Sequence, residues 1–466
     1  MSTLIDEMSE VLDSIFASIS SGIQQTAESY CELQTADSPT VLASCDGSLL
    51  SIVKIDGVKD LIGQEEYENI HQGLLQNLAT SLSEEGHSIQ VFFGYSKDKV
   101  VKDIEENYKP AKRTIKTLGL NLDDLVTERL SFITNYCAHE EIYVVMWTKV
   151  SSLTRDQKKS SVKRKEDLIK EKNYNVRTSQ NILAAIPDLR DNHDSFVKSF
   201  CDDLKSLKMS LSVLEVHDAV KVVRKSFDND ATDDKWSPVL VGDKFNPRIA
   251  KNFKGNIEDV MWPSLSNQII SCDAENIDLR TVKVGSTLYS SVFIDLFPKN
   301  IQSFMTLFNR CLPTGVPWRI SFLIDGGGMK VLQLKRVFAS LLSFSSSDNR
   351  LINDSVTLLD YINVNSDDSV VRLRVAACTW APENNIQLLR TRVSQLSRSI
   401  QGWGSCDVSS VCGDSFEGFT SSLVGFTSNS VATSTAASLS DVLYMLPFYR
   451  PSSPWENGSL LLRSPD

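Results

Sequence analysis

Ile142-Tyr143-Val144-Val145-Met146-Trp147 is the stretch on which the fold turns, six residues that are apolar throughout. A strand with one wet face would alternate with polar positions, so this run reads as a strand buried on both faces. Upstream, residues 41–57 read as two short strands around Asp46-Gly47, a hairpin turn dipeptide. A helix over about 65–85 ends at Gly86 in the manner of a C′ glycine. A strand at 88–95 and helices at about 97–107 and 122–138 lead into the central run. Residues 1–30 carry Leu4, Ile5, Met8, Val11, Leu12, Ile15, Phe16, Ile19 and Ile23 at helical spacing. That stripe is either a core face or a docking helix, and the acids opposite it (Asp6, Glu7, Glu10, Asp13) oppose insertion into an anionic membrane. Together these elements make a first α/β domain over residues 1–150.

Downstream the pattern breaks. Residues 151–172 hold eight Lys/Arg and four acids, a local charge of +4 that reads as a solvated helix-loop insertion or as a contact to anionic lipid or an acidic partner. From Asp194 to about Phe227 the spacing of Phe196, Phe200, Leu204, Leu207, Leu211 and Leu214 predicts one long helix, completing a basic insertion and helix over 151–262. Pro238, Gly242, Pro247 and Pro263 punctuate its end. A second α/β domain spans 263–404, with strands at 287–295, 318–324 and 370–380. Its helices are expected after Pro298, at 329–344, and along Ile386, Leu389, Val393, Leu396 and Ile400. Residues 405–466 form a Ser/Thr-rich helical segment and hinge. Phe416, Phe419, Leu423 and Phe426 mark part of it as ordered and docked, since flexible linkers rarely carry such residues. The expected class is mixed α/β (α+β): two sheet-plus-helix domains, with mixed or largely antiparallel sheets, connected by long helices. No fixed-period internal repeat is visible.

Composition narrows the functions. The chain has 466 residues, of which 41% are hydrophobic and 23% charged, with a net charge of −11. That balance suits a globular protein and opposes a dedicated nucleic-acid binder. No run approaches the length of a membrane span, and the acidic N-terminus is unlike a secretory signal. Of nine cysteines, only Cys406 and Cys412 are close together, without a CxxC pattern, so reduced thiols in a cytoplasmic protein are expected.

Catalytic motifs are sought with little return. Phe322-Leu323-Ile324-Asp325-Gly326-Gly327-Gly328-Met329-Lys330 joins a strand to three glycines, a geometry that can present backbone N–H groups to phosphate. It lacks the Lys-Ser/Thr of a P-loop and the third glycine of a dinucleotide fingerprint, because Val331 stands in both places. His139-Glu140-Glu141 is no zincin, since Tyr143 occupies the place of the second histidine. His193-Asp194 and His217-Asp218 are adjacent pairs that diverge around a helix, and His71 and His87 have no partner in sequence. Ser366-Asp367-Asp368 lacks the spaced oxygens of a calcium loop. No catalytic, cofactor-binding or metal-ligating residue is therefore assigned.

Leu446-Pro447-Phe448-Tyr449-Arg450-Pro451-Ser452-Ser453-Pro454-Trp455-Glu456-Asn457-Gly458 resembles the hinge preceding the motor domain in the IcmB/DotO group of type IVB (Dot/Icm) secretion ATPases, within the CagE/TrbE/VirB family. Asp46-Gly47-Ser48-Leu49-Leu50-Ser51-Ile52-Val53-Lys54-Ile55-Asp56-Gly57 is similar to that family's first hairpin. The segment from Val284-Gly285-Ser286 through Pro298 to Ile324 is similar to its strand–helix–strand unit. The leucine run after Gly458 reads as the start of a further domain. The resemblance implies the non-catalytic N-terminal region of a secretion ATPase, peripheral to the bacterial inner membrane, with membrane contact peripheral at most. It implies anchoring to inner-membrane secretion components, self-association as a hexamer or hexamer of dimers, and a DotB-like second ATPase engaged through the motor. ATP and Mg would belong to that motor domain alone. The alternatives are a stand-alone oligomeric scaffold or an enzyme whose site is assembled from distant residues.

Overall fold

The computed structural model describes residues 26–59, 63–172, 179–231, 235–244, 254, 261–298, 300–328 and 369–450. The expected N-terminal helix up to residue 25, the helix at 329–344, Ser366-Asp367-Asp368 and the hinge beyond Arg450 lie outside them.

The first half of the chain builds strands β1 (Leu33–Ser38), β2 (Val41–Ser44) and β3 (Leu49–Val58), helix α1 (Gln64–Leu82) and strand β4 (His87–Ser96). Helices α2 (Val100–Thr117) and α3 (Asp123–Ile133) precede β5 (His139–Thr148), and α4 (Arg155–Lys172) and α5 (Arg190–Ser206) follow it. Strand β6 (Met209–Val213) and helix α6 (Val216–Phe227) complete this half. In the second half, α7 (Leu265–Ile269) leads to β7 (Ala274–Asn276), β8 (Thr281–Val284) and β9 (Thr287–Leu296). Then come α8 (Phe304–Cys311), β10 (Trp318–Asp325), β11 (Val370–Pro382), α9 (Ile386–Gln401), β12 (Asp407–Ser409), α10 (Ser415–Thr420), β13 (Thr435–Ser438) and α11 (Leu439–Tyr444).

The α+β class with antiparallel strands holds. The strands expected of two separate sheets, however, lie in one 13-stranded sheet in the order β1-β2-β3-β5-β4-β10-β11-β9-β8-β7. The join is an antiparallel seam of eight residue pairs between β4 and β10, from Trp318 opposite Tyr95 to Asp325 opposite Ser88. Each of these strands is buried along its length. Left apart, each half would expose an apolar edge with unpaired backbone groups, and pairing them removes both liabilities.

The two halves repeat one topology. In the first, β1 pairs β2, β2 pairs β3, β3 pairs β5 and β6, and β5 pairs β4. In the second, β7 pairs β8, β8 pairs β9, β9 pairs β11 and β12, and β11 pairs β10. Helices α1 and α8 occupy matching places, as do α5 and α9, and α6 and α10. Gly47-Ser48 before β3 matches Gly285-Ser286 before β9, and both glycines have positive φ (95° and 57°), the left-handed geometry that favours Gly. The repeat escapes a fixed period because α4 lengthens the connection from β5 to β6 beyond its counterpart from β11 to β12.

Two cores result. Ile142, Val144 and Met146 of β5 face one side with Ile89, Val91 and Phe93 of β4 and Ile320 and Phe322 of β10. Covering them are α1 (Leu74, Leu78), α5 (Phe196, Phe200), α8 (Phe304, Phe308), α9 (Leu396, Ile400) and α11 (Leu439, Val442). Tyr143, Val145 and Trp147 face the other side under α6, α7 and the segment Phe416, Phe419, Leu423, Phe426. The run 142–147 is thus buried on both faces, and the Ser/Thr-rich stretch is docked, with Phe426 stacked on Phe227 at 5.8 Å.

The long helix expected over 194–227 is corrected. It ends at Ser206, Lys208 turns left-handed (φ 62°), and Met209–Val213 becomes β6 on β3. Leu207, Leu211 and Leu214 fit a helical spacing, but Met-Ser-Leu-Ser-Val also alternates as a strand. The ladder groups that β3 leaves open beyond its short pairing with β2, on the edge opposite β5, decide between the two.

Because the seam shares one core, Phe322→Ala is expected to cost about 3–5 kcal/mol. Denaturant unfolding followed by probes in both halves should still show one coincident transition. Two separated transitions in the wild type would refute a joint sheet.

Candidate functional site

The glycine turn after β10 is a packing device. Gly326 N–H donates to His87 O at 3.0 Å and Gly327 N–H to Leu82 O at 3.1 Å, so these donors serve the α1–β4 connection. A Cβ on Gly326 would lie 2.3 Å from Glu84 O, and one on Gly328 would lie 2.6 Å from Val370 O. Asp325 before the turn is buried and meets Lys149 Nζ at 2.8 Å, Ser88 Oγ at 2.5 Å and Arg374 at 3.5 Å. Burial alone would raise its pKa, but Lys149 and Arg374 hold the carboxyl below the usual carboxylate range.

The histidines act as pins. His193 is fully buried, with Nε2 3.0 Å from Ser51 Oγ and Nδ1 2.9 Å from Thr148 Oγ1. A Ser–His contact invites comparison with a nucleophile and its base, but proton accounting excludes that role here. Ser51 Oγ donates to Thr40 O at 2.8 Å, so Nε2–H donates to Ser51 while Nδ1 accepts from Thr148. Burial lowers the His193 pKa to about 4, with His87 adding to the effect. His87 is also lowered by burial and packs 4.4 Å from the Phe196 ring. His71 meets Ser440 Oγ at 3.0 Å, and His217 meets Asp243 at 2.9 Å.

His139 behaves oppositely. Burial pulls its pKa down, but hydrogen bonds to Asp103 and Glu141 outweigh this and raise it to about 9. Glu141 would be raised by burial, yet His139 and Lys99 bring it down to about 2. Asp103 belongs to α2, so this ion pair fastens the α2–α3 hairpin to β5. Beyond that root the hairpin is exposed: every residue from 116 to 125 is open to solvent, including Leu118 at 65% and Leu120 at 48%. Helix α4 is likewise solvated along most of its length, and Arg164 pairs with Asp188 at 2.6 Å.

At the C-terminal end of the described chain lies a cavity of about 410 Å³, lined by Gly63, Tyr67, Met305, Tyr444, Leu446 and Arg450. Arg450 is only 6% exposed. Its guanidinium pairs with Glu140 at 2.6 Å and lies 4.2 Å from the centre of the Phe308 ring. Its carbonyl accepts from Val58 N–H at 2.8 Å.

In sequence, Glu140 stands out only within the zincin lookalike and Arg450 only within the hinge, and Arg319 belongs to no motif. The signal available for Arg319 was a permanent cation at the second position of a buried strand. Among the described residues, no group of three or more His, Cys, Asp or Glu gathers to hold a metal. All nine cysteines are free thiols. No family model and no curated protein matches this chain.

His193 and His139 together predict a stability maximum near pH 6.5. The pKa of His193 is depressed in the fold, so its contribution is full above about 6.5 and is lost as pH falls toward 4, by about 3 kcal/mol in all. The pKa of His139 is raised, so its contribution is full below about 6.5 and is lost as pH rises through 9. Denaturant titrations from pH 4 to 9 should show the acid slope reduced in His193→Gln and the alkaline slope reduced in His139→Gln.

Proposed function

We propose that this chain is a non-catalytic assembly frame, the N-terminal region of an IcmB/DotO-type type IVB secretion ATPase. In this reading it anchors the motor to the inner-membrane secretion complex and mediates subunit contacts, as a hexamer or hexamer of dimers. ATP and Mg belong to the motor, as does contact with a DotB-like ATPase. The chain sits at the cytoplasmic side of the inner membrane. Among the described residues no helix is long and apolar enough to cross a membrane.

The observation that carries the reading is the clamp on the residues of the hinge resemblance. Leu446 and Phe448 are buried in the core beneath the sheet, and Arg450 is locked by Glu140, Phe308 and Val58. A mount must pass force from its frame to whatever it carries, and a hinge root tied into the main core can do so without local melting. The polar groups inside the fold agree with this reading. His193, Asp325 and Glu141 are each consumed by structural partners. The exposed leucines of the α2–α3 hairpin offer a contact surface of the kind an assembly needs.

The purified chain is expected to show no magnesium-dependent ATP turnover and to recover inner-membrane secretion components from solubilised bacterial membranes. Turnover, or recovery of none of them, would overturn the assignment. Glu140→Ala should cost about 3–5 kcal/mol by breaking its buried ion pair with Arg450. It should also speed hydrogen exchange at the Val58 amide more than at β5 amides. An unchanged Val58 rate would deny the clamp.

A further inference from the structure

Arg319 is 2% exposed and sits in β10, one strand from Gly94 of β4 and one from Cys378 of β11. Its Nε donates to Ser422 Oγ at 3.0 Å and its Nη1 to Ser226 O, while Nη2 has no partner. The guanidinium carbon lies 5.0 Å from the centre of the Phe419 ring and 5.5 Å from that of Tyr289. No carboxylate among the described residues forms an ion pair with it. An arginine cannot shed its proton, and a buried cation without an anion is costly. The neighbouring Cys378 thiol supplies no charge, since burial raises its pKa despite the guanidinium.

Beside Arg319 is a partly enclosed slot of about 10 Å³, room for one small species. It lies where Gly94 leaves a side chain out, between Glu141 on one neighbouring strand and Arg319 on the other. Asn229 Nδ2 and Ser96 Oγ, both on this slot, are buried and likewise without partners. Lys99 and the protonated His139 also line it. Its one carboxylate, Glu141, is taken up by those two cations, His139 at 3.6 Å and Lys99 at 4.0 Å. The open groups that remain are a guanidinium N–H, an amide N–H and a hydroxyl.

We propose that this slot binds a small monovalent inorganic anion of chloride size, held by Arg319, Asn229 and Ser96. Water would satisfy the donors but would leave the buried positive charge uncompensated, and the volume excludes phosphate or sulfate. Arg319 and Ser96 lie on the seam strands, while Ser226 and Asn229 belong to α6 and the turn after it. The bound anion therefore ties that helix end to the junction of the two halves.

The test compares melting of the whole chain in sodium chloride and in sodium gluconate at equal ionic strength. Wild type should gain several degrees in chloride, saturating with concentration, because a ligand bound only by the folded state raises Tm. Asn229→Ala should need about tenfold more chloride for the same gain, the loss expected of one hydrogen bond to a charged group. Arg319→Met should show no difference between the two salts at any Tm. Crystals grown in bromide should place an anomalous peak in contact with Arg319 Nη2. Identical wild-type melting in both salts, a chloride response retained by Arg319→Met, or water without bromide in the slot would each overturn the proposal. The bromide and Asn229→Ala experiments decide the matter even if Arg319→Met does not fold.

Discussion

The antiparallel pairing of β4 with β10 is the contact on which the rest of the molecule depends. Eight residue pairs join strands that are otherwise inner edges of two similar half-sheets. On one face the join merges Val91, Phe93, Ile320 and Phe322 into a single core that five helices from both halves cover. On the other face it is polar. Gln90 Nε2 donates to Ser321 Oγ at 2.8 Å and Ser88 Oγ donates to Asp325. Apolar burial supplies the driving force at the seam, and the hydrogen-bonded row on the opposite face specifies register, because a one-residue slip would break every pair in it.

The chain after β12 turns this seam into a frame. Leu423 O accepts from Gln90 Nε2 at 2.7 Å, and Gly425 N–H donates to Gln90 Oε1 at 2.9 Å. Glu32, near the start of the first half, accepts from Ser428 N–H at 2.8 Å and Thr427 Oγ1 at 2.9 Å. Further on, α11 packs on α1, and the turn ending at Arg450 is fastened to β3 and β5. A late segment thus stitches both early and late strands together.

The repeat separates what is shared from what is added. Strand order, the hairpin before each long strand and the paired helices recur in both halves, so they serve the sheet. Helix α4 is extra in the connection from β5 to β6, since its counterpart from β11 to β12 holds α9 alone. Leu118 and Leu120 are exposed on the hairpin, whereas most of the described side chains of α4 are charged and solvated.

Much of the fold was legible in the residues themselves. The run 142–147, the Asp46-Gly47 turn, the alternation of strands and helices and the docked phenylalanines after 415 each carry a local physical signature: unbroken apolarity, turn geometry, or apolar surface too large to leave wet. Other features depended on contacts between distant residues. Whether Met209–Val213 is helix or strand was settled by the open ladder of β3, about 150 residues earlier in the chain. Whether there are two sheets or one was settled by the match of β4 to β10, since edge strands look alike in sequence until their partner is known. The same holds for the polar sites. His193, Arg319, Glu141 and Arg450 are ordinary letters in the sequence, and their altered protonation or uncompensated charge arises only when folding removes water and chooses their neighbours. The sequence by itself determined most of the elements and their buried faces, because these follow from local periodicity. The tertiary structure alone decided the pairing of the halves and the chemistry of the buried charges, because both are set by long-range proximity and desolvation.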